Sequence, residues 1–64
     1  MFKITTLNEY GYRNTRSYES KALAERDFTK LQCNEKVMVT MYENDKPIKY
    51  SEKIGLKWFV SVLG

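Results

Sequence analysis

Residues 54–64, Ile-Gly-Leu-Lys-Trp-Phe-Val-Ser-Val-Leu-Gly, limit most strongly what this chain can become. Ile54, Leu56, Trp58, Phe59, Val60, Val62 and Leu63 are large and apolar, and Lys57 is the only charge among them. A chain of 64 residues has little interior. Its core is therefore small, and its stability marginal unless something else contributes. The segment must complete that core, meet a partner, or do both. It is about half as long as a membrane span and Lys57 interrupts it, so it does not read as a transmembrane helix.

Covalent reinforcement within the chain is excluded. Cys33 is the only cysteine, so no internal disulfide exists. Histidine is absent, and one thiolate cannot build a zinc site. No cofactor is expected. A single free thiol fits a reducing compartment, and the start Met1-Phe2-Lys3-Ile4 lacks a signal-peptide apolar run, so the expected location is the cytoplasm. The 42% apolar and 14% aromatic content is that of a folding chain, not a disordered one. A net charge of +3 gives a mild preference for acidic protein surfaces or nucleic acid. It falls short of the dense basic character of dedicated nucleic-acid binders.

Residues 1–64 read as one domain. Residues 2–7 alternate as a strand, with Phe2, Ile4 and Thr6 on one face. Residues 8–11 form a turn in which Gly11 supplies positive φ. Residues 12–18 form a polar strand suited to a sheet edge, with Tyr12, Asn14, Arg16 and Tyr18 sharing a face. Ser20 is an N-cap candidate for a helix over 21–32, whose stripe holds Leu23, Ala24, Asp27, Phe28 and Leu31. Asn34 suits the left-handed residue that ends it. Residues 36–43 alternate as a strand, with Val37, Val39 and Met41 on one face and Met38, Thr40 and Tyr42 on the other. A turn at 44–46 leads to a short fourth strand with Ile48 and Tyr50 facing one way, Lys49 and Ser51 the other. The tail fits a strand, with Leu56, Trp58, Val60 and Val62 on one face. It also fits a short helix, with Leu56, Phe59, Val60 and Leu63 aligned. Its valines and aromatics favour the strand. The expected fold is a small α+β domain, β-β-α-β-β plus a C-terminal strand or short helix, with one helix packed on an antiparallel sheet.

One helix covers one face of a sheet. Phe2, Ile4, Val37, Val39, Met41 and Ile48 are expected under Leu23, Phe28 and Leu31, with Trp58 and Val60 joining them if the tail is a strand. The opposite face then gathers Met38, Tyr42, Phe59 and Leu63 with Lys3, Arg13, Lys49 and Lys57 around them. An apolar aromatic centre inside a basic rim has the composition of a binding surface, although solvated sheet faces also carry scattered apolar residues. A homodimer formed through the same face is a further option. Lys46, Lys49, Lys53 and Lys57 are either a solvated edge or a patch that steers an acidic partner. Tyr12, Tyr42 and the other tyrosines beside Arg13, Arg16 and Lys49 could stack bases, although no RRM signature or glycine-rich phosphate loop accompanies them. Asp27 is expected at the edge of the stripe, in water, with partial burial against a strand hydroxyl or an arginine as the alternative. Cys33 has no histidine to activate it, so no enzymatic role is expected.

The compact start Met1-Phe2-Lys3-Ile4, the Asn-, Lys-, Glu- and Tyr-rich strands, the absence of histidine and the single-domain layout resemble the small early or accessory proteins of T4-like tailed phages. The resemblance spans the whole chain and carries no diagnostic motif, so no functional residue transfers. It implies a host-takeover or anti-defence protein that binds a host nuclease, toxin, defence or transcription protein and blocks it. The resulting expectation is a non-enzymatic inhibitor or modulator acting in the host cytoplasm. Its partner-binding residues would be Met38, Tyr42, Phe59, Leu63, Lys49, Lys53, Lys57, Arg13, Arg16 and Tyr12. Direct nucleic-acid binding through the tyrosines, arginines and lysines is the alternative.

Overall fold

The structure, a computed structural model, describes residues 1–32 and 35–63. The chain runs β1 (Phe2–Asn8), β2 (Arg13–Tyr18), α1 (Lys21–Lys30), β3 (Lys36–Glu43), β4 (Lys46–Ile54) and β5 (Lys57–Val62). The strands form one antiparallel sheet in the order β2-β1-β3-β4-β5.

The turns follow from local chemistry. Asn8 Oδ1 accepts hydrogen bonds from the backbone N–H of Tyr10 (2.9 Å) and of Tyr12 (2.8 Å), closing the β1–β2 hairpin around Gly11 at φ 87°. Asn44 and Asp45 both take positive φ, 49° and 68°, as the two central positions of a type I′ turn require. Gly55, at φ 67°, opens the two-residue Gly55–Leu56 loop between β4 and β5. With two tight hairpins, β3, β4 and β5 run as a meander away from the helix.

The path from β2 to β3 carries α1 across β1, because β1 lies between those strands. α1 accordingly lies against β1, β2 and β3, and among the described residues its backbone does not approach β4 or β5. The fully buried core is Ile4, Ala24, Phe28, Val39 and Met41. Phe2, Tyr18, Leu31, Ile48 and Trp58 pack around it. Burial of each large side chain contributes roughly 1.5–3 kcal/mol, so four such positions, Ile4, Phe28, Val39 and Met41, leave only a thin margin over chain entropy.

The expected fold class is corrected by this arrangement. The molecule is mostly a five-stranded antiparallel sheet, with 59% of the described residues in strand against 16% in helix. It is not an α+β domain of the β-β-α-β-β type completed by a helix layer. The helix is too short and its apolar stripe too narrow to act as a second layer. It ends at Lys30 rather than at 32, where Gln32 N–H bonds back three residues to the Thr29 carbonyl (3.3 Å). Only Ala24 and Phe28 of the helix are buried, and Leu23, expected in the core, is 47% exposed. The tail is a strand at the sheet's edge, not a helix.

Three smaller expectations also change. Ser20 precedes the helix but its side chain makes no capping hydrogen bond. Asp27 follows the alternative reading and meets a strand hydroxyl: Tyr18 Oη donates to its Oδ2 at 2.9 Å, tying the helix to β2. A bulge at Ile48 of β4, where Pro47 and Lys49 pair with the adjacent Tyr42 and Met41 of β3, places Ile48 with Lys49 on the helix side. Tyr50 consequently faces the opposite side. The readings of Cys33 and Asn34 lie outside the described residues.

Candidate functional site

The sheet face opposite α1 has no covering element among the described residues, and strand register sets its content. One row across all five strands is hydroxylic: Thr15, Thr5, Thr40, Tyr50 and Ser61. Within it the Thr5 and Thr15 hydroxyls lie 3.2 Å apart in a hydrogen bond. The row on one side is Arg13, Leu7, Met38, Glu52 and Phe59. The row on the other side runs Ser17, Lys3 and Tyr42. Tyr42, Tyr50 and Phe59 therefore step one row per strand and form an aromatic diagonal across β3, β4 and β5. Diagonal neighbours on a sheet stand about 7–8 Å apart.

Thr5, Leu7, Arg13, Thr15, Met38, Thr40 and Tyr42 line an open depression of about 310 Å³ on this face. Leu7, Met38 and Tyr42 are half-buried by their neighbours, whereas Phe59 is 52% exposed. Burial raises the Tyr50 phenol pKa above the ordinary tyrosine range, and the Glu52 carboxylate beside it adds to the rise by hydrogen bonding and by charge. The cationic groups on the face are Arg13 at the β2 end, Lys57 at the β5 end and Lys3. Lys3 Nζ lies 3.8 Å from the Asp45 carboxylate.

The ten residues expected to bind a partner do not all share this face. Met38, Tyr42, Phe59, Leu63, Arg13 and Lys57 lie on it. Arg16 is paired with Ile4 on the helix side. Lys49 is also on the helix side, its Nζ stacked 4.8 Å from the centroid of the Phe28 ring. Lys53 pairs with Trp58, which packs against the core. Tyr12 sits in the β1–β2 turn, before the strand begins. The predicted basic patch of Lys49, Lys53 and Lys57 is thus split between two faces.

The hydroxyl row and Leu7 belong to the face but were not singled out from the sequence. Each strand contributes one of these residues, so only the register reveals the row. A second depression, about 200 Å³, lies beside the helix start and is lined by Lys21, Glu25, Glu43, Ile48, Lys49 and Val62. No group of three or more His, Cys, Asp or Glu side chains among the described residues could hold a metal ion. Among the described residues, no helix is long and apolar enough to cross a membrane. No family model, no curated protein and no solved structure matches this chain.

Proposed function

We propose that this chain is a non-enzymatic protein-interaction module that acts in the cytoplasm by laying its open sheet face on a larger protein. The partner would be a nucleic-acid-handling, toxin or defence protein, blocked sterically in the manner of small phage inhibitors. The observation that carries this reading is the composition of the uncovered face. Its centre of Leu7, Met38, Tyr42 and Phe59, with Glu52 between Met38 and Phe59, sits between cationic ends at Arg13 and Lys57. Aromatic side chains in such centres carry most of the binding energy, and rim cations accelerate encounter. Tyr42 and Phe59 are the anchors, and Arg13 and Lys57 steer. The test is affinity for the partner captured from cells that express the protein. Tyr42→Ala or Phe59→Ala should weaken binding at least tenfold, and Leu23→Ala on the helix face should not. Equal affinity for all three variants would refute the site.

A second reading, single-stranded nucleic acid on the same face, is favoured by the aromatic diagonal of Tyr42, Tyr50 and Phe59 beside Arg13 and Lys57. Bases stack on such platforms with little sequence preference. Oligonucleotide affinity would then fall steeply with salt, with a slope following the number of phosphate contacts. An oligonucleotide that fails to bind at low salt removes this reading and leaves the first untouched.

A further inference from the structure

β5 is a sheet edge whose helix side is wholly apolar, Trp58, Val60 and Val62, and whose open side carries Phe59 between Lys57 and Ser61. Val60 and Val62 on the helix side are 50% and 77% exposed, because α1 stops short of them. Its register with β4 is unbroken from Ile54↔Lys57 to Lys49↔Val62, without a bulge, and the strand contains no proline. Its only charge is Lys57, at its first residue. Sheet edges are ordinarily blunted by charge, proline or bulges. The opposite edge, β2, follows that rule with Arg13 and Arg16.

The backbone of β5 also has a defined direction. Leu63 N–H donates to the Ile48 carbonyl at 2.9 Å. In an antiparallel ladder, bonded and non-bonded pairs alternate. Leu63, Ser61 and Phe59 therefore aim their N–H and C=O groups at β4. Trp58, Val60 and Val62 aim theirs outward, past the sheet.

We infer that β5 pairs antiparallel with β5 of a second copy of this chain, centred on Val60, joining two sheets into one of ten strands. In this register the outward groups of Trp58, Val60 and Val62 meet those of the partner's Val62, the partner's Val60 and the partner's Trp58. Each outward N–H then finds a carbonyl. Side chains match as well: Trp58 stands opposite a valine, Val60 opposite itself, and Phe59 opposite a serine. The charges are compatible, because the two Lys57 ammonium groups fall at opposite ends, six residues or about 20 Å apart along the strand. The two-fold axis is perpendicular to the sheet, so both helices lie on one side and the two open faces become continuous. The pairing does not depend on the proposed function, which uses that face and not the edge. A joint made by one strand from each copy falls at or below the small end of specific interfaces, about 1,200 Å², so the dimer is weak and concentration-dependent.

The test is sedimentation of the purified full chain alone, from roughly 1 µM to roughly 1 mM, because mass action governs such a dimer. The mean mass should rise from monomer towards twice that value. Val60→Lys sets two like charges opposite each other at the axis and should shift the midpoint at least tenfold upward. Val60→Pro removes an outward N–H while leaving the β4 ladder intact, and should do the same. Asn14→Lys on the β2 edge should leave the midpoint unchanged. Amide exchange of the unaltered protein gives a check that needs no variant: Trp58, Val60 and Val62 should gain protection as concentration rises. A monomer across the whole range, wild-type association by the Val60 variants, or absence of that protection would each overturn the pairing.

Discussion

Ser51 lies on the helix side of β4, paired with Val39 on β3 and Val60 on β5. It is fully buried, and its Oγ has no hydrogen-bond partner among the described residues. Folding therefore strips water from this hydroxyl and returns nothing, at a cost of about 1–3 kcal/mol. Ser51→Ala removes that cost. Against it stand the void left by one oxygen atom, about 0.3 kcal/mol at ~24 cal/mol per Å³, and a few tenths of a kcal/mol of lost strand preference. The net expectation is stabilisation by about 0.5–2 kcal/mol. In a domain of this size each kcal/mol moves the melting temperature by about 4–8 °C. Thermal and urea unfolding followed by circular dichroism, with m unchanged, measure the effect directly. A loss of 1 kcal/mol or more would show that the hydroxyl is satisfied in solution and that the packing described around it is wrong.

Three further outcomes follow from the same core. Phe28 fills its centre and carries the Lys49 ammonium on its ring. Phe28→Ala should cost about 3–5 kcal/mol, comparable with the whole stability of a domain this small, and the far-UV signal of the variant should be largely lost at 25 °C. Lys49→Met keeps the aliphatic cover and should cost only about 0.5–1 kcal/mol, the worth of an exposed cation–π contact. Tyr18 has a phenol pKa raised first by burial and then by its hydrogen bond to, and the charge of, Asp27, with Arg16 opposing. Its folded value lies above its unfolded one. The stability it contributes is complete below the ordinary tyrosine range and is lost as pH climbs through the folded value. Urea midpoints measured from neutral to strongly alkaline pH should therefore fall less steeply for Tyr18→Phe than for the unaltered chain. An identical decline in both would refute this linkage.

The sequence pattern made some of this structure readable and hid the rest for identifiable reasons. Alternation placed a strand at Lys36–Glu43, and Asn8 with Gly11 marked the first hairpin, because both signals are local. Strand order is not local. Nothing in the chain announces that β1 lies between β2 and β3, yet that order confines α1 to one half of the sheet and leaves β5 bare. The assignment of Lys49 to the binding face failed because a single bulge beside Ile48 turned it onto Phe28. Arg16 and Lys53 were chosen for their charge, and register places both on the helix side, opposite Ile4 and Trp58. Leu23 was placed in the core because the helical stripe admits either Leu23 or Ala24 at its centre, and only the close approach of helix and sheet favours the smaller side chain. The shared face of Met38, Tyr42, Phe59, Arg13 and Lys57 was legible from alternation. Its hydroxyl row and aromatic diagonal emerged only with the register.

The central claim is that the uncovered sheet face, and not the helix side, meets the partner protein. Site-specific photocrosslinking in cells that express the chain addresses it most directly, with the crosslinker placed at Tyr42 on the open face or at Leu23 on the helix. The account predicts one dominant crosslinked protein from position 42 and none from position 23. A dominant adduct from position 23, with none from position 42, would contradict it.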